Sequence, residues 1–249
     1  MSDFKLIKGD CLVEMSNIED KSIDMILCDL PYNQTKNEWD TIIPFDRLWA
    51  HYERILKENG VAVLFGQGIF TAQAMLSNKK MWRYNLIWNK EMVTGFLNAK
   101  KMPLRSHEDL MVFYKKLPTY NPQMSKGKPL HGRGSSYKSK KLTNNCYGDF
   151  EIMDDVRKNS TDKYPKSILS FQKIHPSQTI HPTQKPVPLL EYLIKTYTNE
   201  GDTVLDNCMG VGSTGIASLN TNRKFIGIEI DDNYFNLAKE YGFISNCCH

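Results

Sequence analysis

The most constraining feature of this 249-residue chain is a short uncharged run that ends abruptly in an acid and a proline. Met25 to Cys28 carry no charge, which is typical of a strand buried on both faces of a parallel sheet. Pro31 has no N–H to donate and biases Leu30 away from helix, so the strand must stop there. Asp29 and Tyr32 are therefore expected at the carboxyl end of a buried strand, where open α/β sheets bind their ligands.

Such a strand end can activate an aromatic amine. The lone pair of an exocyclic amine such as N6 of adenine is delocalised into the ring, which makes the nitrogen a poor nucleophile. The Asp29 carboxylate and the Leu30 carbonyl can each accept one N–H and free that lone pair, while Tyr32 stacks on the base. The alternative is a strand-end acid and a turn proline with no chemical role, and these four residues alone do not exclude it.

A second segment has the pattern of a nucleotide-binding unit. Asp202–Asp206 is expected to be a strand, and Asn207–Gly215 a glycine-rich turn that opens a helix and lets a ligand approach the backbone. The strand Phe225–Ile228 then ends in Glu229, which is placed to accept hydrogen bonds from two ribose hydroxyls. Enzymes that bind nicotinamide dinucleotides share this arrangement, so the unit alone does not identify the cofactor.

Two polar segments stand at predicted helix starts. His181–Pro186 precedes a helix expected over Val187–Tyr197, and it offers a hydroxyl, an amide and an ammonium group that suit an amino-acid carboxylate. Near the amino terminus, the predicted strand Phe4–Lys8 leads to Asp10, which is expected to cap a helix that starts at Cys11.

The rest of the pattern alternates helices and strands, as in an α/β domain. A polar, basic connection is expected between residues 88 and 110. The other predicted elements are a helix from 45 that ends at Asn59-Gly60, strands over 61–65, 84–88 and 110–114, and helices over 69–76 and 233–241.

The charge of the chain is concentrated in one segment. From Lys115 to Lys173 there are 13 Lys and Arg against 5 Asp and Glu, a net charge of +8, so the rest carries −4 of the total of +4. A basic, turn-rich insertion with interspersed tyrosines predicts contact with nucleic-acid phosphates and base edges. A solvated charged face is the alternative. The densest basic residues are Lys126, Lys128, Arg133, Lys138, Lys140 and Lys141.

Composition disfavours several classes of protein. No apolar run approaches the ~18 residues of a membrane span, and the first ten residues lack the core of a signal peptide, so a cytoplasmic protein is expected. The six cysteines form no C-x-x-C pair and no metal site is expected. The absence of a Pro-Cys dipeptide argues against cytosine-C5 methylation, which needs a cysteine nucleophile. The length fits one α/β domain with an insertion, or two small domains.

Three of these motifs together resemble one enzyme family. Asp29-Leu30-Pro31-Tyr32 resembles the (D/N/S)-P-P-Y motif of amino-group DNA methyltransferases, with a leucine in place of the first proline. His181–Pro186 closely resembles the motif that precedes the cofactor strand in that family. Val204–Gly215 resembles its D-P-F-x-G-x-G loop, with Asn207 and Cys208 in place of Pro and Phe. The order of the motifs is similar to the β group, whose α/β, Rossmann-like, seven-stranded sheet is circularly permuted.

The resemblance implies transfer of a methyl group from S-adenosylmethionine to N6 of an adenine flipped out of double-stranded DNA, since Asp in the first motif position is typical of adenine enzymes. Cytosine N4 is the nearest alternative; RNA or protein methylation, a silent DNA-binding protein and a nicotinamide oxidoreductase are weaker ones. The implied domains are a catalytic half over 1–116, a target-recognition insertion over 117–175 and a cofactor half over 176–249. A homodimer and a paired restriction endonuclease on a separate chain stay open.

The implied site residues fall into three groups. Catalysis is assigned to Asp29, Leu30, Pro31 and Tyr32. Cofactor binding is assigned to Asp10, Cys11, Thr183, Gln184, Lys185, Asp206, Asn207, Cys208, Gly210, Gly212, Ser213, Thr214, Glu229 and Ile230. DNA contact is assigned to the six basic residues of the insertion and to Arg105 and His107, which belong to an R-x-H-E stretch that lies near DNA in similar enzymes. An ion pair between Arg105 and Glu108 within a loop is the alternative.

Overall fold

The computed structural model describes residues 4–32, 41–128, 141–144, 148–151, 160–174 and 184–246. The chain divides into two compact units, Met1–Asn121 with Lys166–His249, and Pro122–Pro165. The smaller unit falls within the predicted insertion over 117–175. In the described ranges, none of the helices combines the length and apolarity that a bilayer crossing requires.

Twelve strands are present in the described ranges. They are β1 (Phe4–Lys8), β2 (Ile23–Cys28), β3 (Leu56–Gly66), β4 (Trp82–Thr94), β5 (Arg105–Tyr114), β6 (Ser125–Lys126), β7 (Lys141–Asn144), β8 (Gly148–Glu151), β9 (Asp162–Lys163), β10 (Ile168–Ser170), β11 (Thr203–Asp206) and β12 (Lys224–Glu229). The helices are α1 (Cys11–Glu14), α2 (Phe45–Ile55), α3 (Ile69–Ser77), α4 (Val187–Tyr197), α5 (Ser213–Asn220) and α6 (Asp232–Asn246).

The larger unit is built on one mixed sheet with the order β1-β12-β11-β2-β3-β5-β4-β10. Neighbouring strands are parallel except where β5 pairs with β3 and with β4. The expected α/β class is therefore confirmed. The described sheet has eight strands where seven were expected, because the short strand β10 pairs with β4 and buries Leu169 at that edge.

Strand β2 lies in the middle of this sheet and separates two hydrophobic cores. Ile26 and Cys28 pack into one core, whereas Met25 and Leu27 pack into the other. All four side chains are essentially inaccessible to solvent, and burial of an aliphatic side chain of this size stabilises the fold by roughly 1.5–3 kcal/mol. The uncharged run is thus a strand covered on both faces, as its sequence predicts.

The boundary between α2 and β3 differs from the prediction. The helix was expected to end at Asn59-Gly60, but it ends at Ile55, and Leu56 already has an extended backbone (φ −67°, ψ 135°). Leu56 pairs with Ile23 of β2, and the Lys57 ammonium lies 2.7 Å from the Asp24 carboxylate. Pairing with a distant strand therefore replaces the last turn that the local pattern favours.

The predicted polar connection between residues 88 and 110 is also wrong in part. Strands β4 and β5 extend through most of it as a long antiparallel hairpin, with Asn89 opposite His107. Arg105 and Glu108 therefore belong to β5 rather than to a loop. The ion pair between them, the alternative to a DNA-facing role, is absent from the described contacts: Arg105 donates a 2.8 Å hydrogen bond to Gln67, and Glu108 pairs with lysines elsewhere.

The smaller unit contains two short antiparallel strand pairs, β6 with β9 and β7 with β8. The Lys126 ammonium pairs with the Asp162 carboxylate across the first of them. Both side chains of this pair are largely solvent-exposed, so the pair adds little stability.

Candidate active site

The carboxyl ends of four parallel strands bring the predicted motifs together. Strands β11 and β2 are adjacent and parallel, with Val204 opposite Met25 and Leu205 opposite Ile26. Asp206 and Asp29 consequently lie at the same edge of the sheet, although 177 residues separate them in the chain (206 − 29). Glu229 follows at the end of β12, and β1 next to it leads to Asp10.

A cavity of about 370 Å³ opens at this edge, which lies within the usual range for small-molecule sites. Most predicted site residues line it: Asp10, Cys11, Asp29, Pro31, Gln184, Lys185, Asp206, Asn207, Cys208, Gly210, Ser213, Thr214, Glu229 and Ile230. Sequence reasoning missed Phe65, Met209, Tyr234 and the segment 41–44, which also line it. The apolar patterns that place Phe65 and Met209 in the core give no separate signal for a cavity wall.

Four of the predicted catalytic and cofactor-binding residues are not among those that line the cavity. Leu30 is buried in the hydrophobic core, and Gly212 forms the turn before α5 with a left-handed backbone (φ +82°). The Tyr32 ring packs on Phe70, with 4.5 Å between ring centroids, and its hydroxyl donates to Asp29 Oδ1. Thr183 lies outside the described residues.

Asp10 caps a helix and also lines the cavity. Its carboxylate accepts a 2.8 Å hydrogen bond from the Leu12 amide as the N-cap of α1. The same residue lines the cavity. A capping acid beside a ligand site can stabilise the fold and bind a polar ligand group together.

Glu229 is held in place by two backbone amides. Its two oxygens accept 2.8 Å hydrogen bonds from the amides of Gly210 and Asp231. Burial raises the pKa of this carboxyl, and the backbone amides oppose that shift. Each carboxylate oxygen can accept more than one hydrogen bond, so Glu229 retains acceptor capacity for a pair of ligand hydroxyls.

Asp206 is buried at the end of β11. One carboxylate oxygen accepts a 2.7 Å hydrogen bond from the Thr214 hydroxyl, and the other accepts from the Cys208 amide at 3.2 Å. Burial raises the pKa of Asp206 from 3.8 to about 6, against the effect of these hydrogen bonds. The group therefore titrates close to the neutral range.

The start of α5 offers an unpaired hydroxyl to the cavity. Ser213 is buried and lines the cavity, yet its Oγ has no hydrogen-bond partner within the described part of the chain. A buried hydroxyl without a partner costs free energy, and the first turn of a helix presents further free N–H groups. A polar, hydrogen-bonding ligand fits this end of the cavity.

Three cysteines lie in the described part of the chain, and all three are free thiols. Cys11 and Cys28 are buried and Cys208 is half-buried. Burial raises the pKa of the Cys28 thiol to about 12, so this group is protonated at neutral pH. A protonated thiol is a poor nucleophile, so the geometry assigns Cys28 to packing.

Asp29 belongs to a chain of four alternating charges. Its Oδ2 lies 2.6 Å from the Lys185 ammonium, which in turn lies 3.2 Å from Glu108 Oε2. The other Glu108 oxygen lies 2.6 Å from the Lys90 ammonium. The side chains of Lys90, Glu108 and Lys185 are almost completely buried. Sequence reasoning placed Lys185 at the site but did not assign Lys90 or Glu108 a part in it, since no spacing signal links three such distant positions.

The electrostatics of these groups are linked. Burial raises the pKa of the Asp29 carboxyl, and the Lys185 ammonium opposes this effect. Burial alone would lower the pKa of Lys185, but the carboxylates of Asp29 and Glu108 outweigh it and raise that pKa. Lys185 therefore stays protonated and supports an ionised Asp29 in a site with little water.

The predicted DNA-contacting residues lie in several parts of the chain. Arg105 and His107 are exposed on β5, and Lys126 and Lys128 are exposed in the smaller unit. For Lys141 only the backbone, in β7, is described. Arg133, Lys138 and Lys140 lie outside the described residues.

Together, a mostly parallel α/β sheet, an acid at the end of β12 and a cavity at the carboxyl edge define a nucleotide-binding α/β protein. The sequence profile of the N6/N4 DNA methylase family matches residues 23–240. The chain belongs to this family and is a DNA methyltransferase.

Two DNA methyltransferases are similar in sequence over nearly the whole chain. The type II methyltransferase M2.MboI of Moraxella bovis is 28% identical, over 95% of this chain and 86% of its own length. The DNA adenine methyltransferase YhdJ of Escherichia coli K12 is also 28% identical, over 94% of this chain and 80% of its own length. The crystal structure of M1.HpyAVI with S-adenosylmethionine has a TM-score of 0.62 at 24% identity and covers 96% of this chain and 99% of its own, so the two share a fold.

Proposed function

We propose that this DNA methyltransferase transfers a methyl group from S-adenosylmethionine to N6 of an adenine flipped out of double-stranded DNA. The observation that carries the proposal is the position of Asp29, which lines the cavity at the end of β2 and is adjacent to the cofactor-type turn after β11. The Asp at the first position of the D-x-P-Y motif favours adenine. The similarity to YhdJ, named as an adenine methyltransferase, agrees with this choice.

The residues at the cavity fit S-adenosylmethionine. Glu229 would accept hydrogen bonds from its ribose hydroxyls, Asp10 from its adenine amino group, and the Ser213 hydroxyl would bind its polar methionine portion. The fold match to a protein crystallised with S-adenosylmethionine is consistent with this assignment. When bound, S-adenosylmethionine supplies an electrophilic methyl group, and no metal ion is needed.

Asp29 and the Leu30 carbonyl each accept one N–H of the target amine, which concentrates the lone pair on nitrogen. Tyr32 stacks on the base after it leaves the duplex. As the nitrogen bonds to the methyl carbon, the bond from that carbon to sulfur would break and its electron pair would stay on sulfur, which leaves S-adenosylhomocysteine. The nitrogen must lose one proton, and the Asp29 carboxylate, already hydrogen-bonded to that N–H, accepts it. Lys185 keeps Asp29 ionised beforehand, because its ammonium lies 2.6 Å away.

Two further proposals concern the order of the motifs in the chain and the role of the basic insertion. Strand β2 with its catalytic tip precedes β11 and its cofactor turn in the chain, and this order supports a circularly permuted β-group methyltransferase. We assign target recognition to the insertion over 117–175, which carries a net charge of +6 (11 Lys and Arg against 5 Asp and Glu) and contains the compact unit Pro122–Pro165. Positive charge supports phosphate contact, and base contacts then select the site.

Methylation of cytosine N4 is the second candidate, because the same pair of acceptors can polarise either exocyclic amine and the family includes both specificities. The two differ in their product. Purified protein is incubated with unmethylated DNA and labelled S-adenosylmethionine, and the DNA is digested for nucleoside mass spectrometry. We expect N6-methyladenine, and we expect Asp29→Ala to abolish it while calorimetry still detects cofactor binding.

N4-methylcytosine in place of N6-methyladenine would overturn the base assignment and keep the chemistry of Asp29. Cofactor binding without any labelled DNA would contradict the proposed substrate. Sequencing of the methylated DNA identifies the recognition site.

A further inference from the structure

Large apolar side chains stand in solvent at the tip of the β4–β5 hairpin. We name residues 93–104 the hairpin tip. Leu97 is 100% exposed and Phe96 is 67% exposed, and Val93 and Met102 are exposed beside them. Exposed apolar clusters of this kind mark surfaces that contact a partner.

The hairpin tip projects from the same edge of the sheet as the active site. Strands β2, β3 and β4 point in one direction and β5 returns in the other, so the β4–β5 turn lies at the edge where Asp29 stands. The base of the hairpin is tied to that residue, because Glu108 of β5 binds Lys185, which binds Asp29.

The pairing of the hairpin is irregular between its base and its tip. Between the pairs Asn89–His107 and Thr94–Arg105, β4 has four intervening residues where β5 has one, and Glu91 there has a left-handed backbone (φ +56°). Such bulges redirect a strand and are common next to active sites.

The charge of this surface fits one class of partner. Residues 92–107 contain Lys100, Lys101 and Arg105 and no acidic residue. All three basic residues are exposed. Exposed apolar side chains on a segment whose own charges are all positive, with Glu91 just before it, match the stacked bases and the phosphates of duplex DNA.

We propose that the hairpin tip is a wedge in which Leu97 and Phe96 enter the base stack when the target base leaves it. The inference rests on the proposed function and adds how the duplex is opened. Flipping a base leaves an apolar gap in the stack, and inserted apolar side chains can fill such gaps. Lys100 and Lys101 contact the flanking phosphates.

The test compares two duplexes that carry the recognition site found by sequencing. In one the target adenine is paired, and in the other it faces an abasic site, where little stacking and no pairing must be broken. For the double variant Phe96→Ala/Leu97→Ala we expect kcat/KM on the paired duplex to fall about 10- to 100-fold. On the abasic duplex we expect it to stay within about threefold of the unmodified protein, because the wedge is not needed there.

The matched control is Leu76→Ala, which removes an exposed apolar side chain near the end of α3. This control variant should leave kcat/KM unchanged on both duplexes. Cofactor affinity and thermal unfolding should be unaltered in the double variant, since both of its side chains are exposed.

Equal loss on both duplexes, or no loss on either, would overturn the wedge while the proposed function stands. Dissociation of a dimer by Phe96→Ala/Leu97→Ala in sedimentation, with unchanged methylation, would assign the surface to a second copy of this chain instead. An unmodified protein that methylates neither duplex would overturn the proposed function, and the wedge with it.

Discussion

At the scale of single residues, the candidate site depends on charges that have been removed from water. Glu108 is the central member of the buried group, because it contacts both Lys90 and Lys185. Burial costs each charge several kcal/mol unless a partner compensates. Neutralising one member therefore leaves another uncompensated.

Glu108→Gln should lower the free energy of unfolding by about 3–5 kcal/mol, because the Lys90 ammonium remains buried without a carboxylate. The double variant Glu108→Gln/Lys90→Met should recover part of this loss, since it removes both charges. Urea unfolding of the three proteins measures the difference. A double variant that is less stable than Glu108→Gln would contradict the role of Glu108 as the counter-ion of Lys90.

Asp206 predicts a pH dependence of stability. Its pKa in the folded protein is about 6 against an ordinary value of 3.8, so the folded state binds the proton more tightly than the unfolded state. The stabilisation from this proton is complete below about pH 4 and is lost as the pH rises through 6, at most about 3 kcal/mol. Asp206→Asn removes this titration.

The free energy of unfolding of the unmodified protein, minus that of Asp206→Asn, should therefore fall between pH 4 and pH 7. Taking the difference cancels the titration of other carboxyls. A difference that is constant or rises over that range would show that folding does not raise the pKa of Asp206.

At the scale of elements, close packing of helices on the sheet sets the positions of the turns around the cavity. Helix α5 starts at Ser213 and packs beside β12 and β1 through Gly215. A Cβ at Gly215 would lie 2.8 Å from ring carbons of both Phe225 and Phe4. These rings pack against each other with 5.3 Å between centroids, so neither can move away easily.

Gly215→Ala should consequently lower the free energy of unfolding by about 1–3 kcal/mol, the usual effect of overpacking. At an unobstructed helix position the same change would stabilise the protein by about 0.5–1 kcal/mol. Thermal and urea unfolding give the sign, with Asn220→Ala at the exposed end of α5 as a control that should change little. A stabilised Gly215→Ala protein would contradict the contact.

The elements also show where local patterns fail. Predicted helices and strands reappear wherever hydrophobic periodicity and a turn signal agree, as in β2, α4 and the unit from β11 to β12. They fail over 56–60, where the helix was expected to continue to Asn59-Gly60, and over 105–108. Mostly polar residues belong to strands at both places. Backbone pairing with a distant strand decides those positions, and the local sequence carries no information about the partner.

At the scale of the whole molecule, charge is distributed unevenly between the insertion over 117–175 and the rest of the chain. Lys138→Gln/Lys140→Gln should weaken binding to all duplexes alike and lower the slope of log affinity against log salt by about 2, if both contact phosphate. Lys79→Gln/Lys80→Gln removes the same charge near the end of α3 and should leave the slope unchanged. Fluorescence anisotropy titrations at several salt concentrations measure both. Equal slopes in the two variants would argue against the insertion as the phosphate-binding surface.

The sequence by itself determined the sheet class, the strand that ends in Asp29 and the glycine-rich unit that ends in Glu229, because each depends on neighbours within a few residues. Three features were decided only by the tertiary structure. Glu108 contacts Lys185, which is 77 positions away in the chain (185 − 108). Strands β4 and β5 form a long hairpin, and Leu97 is exposed at its tip. Those features depend on strand register and on which buried charge meets which. The hydrophobic pattern of a strand constrains which face it buries and hence its register, but it does not specify the distant strand with which it pairs.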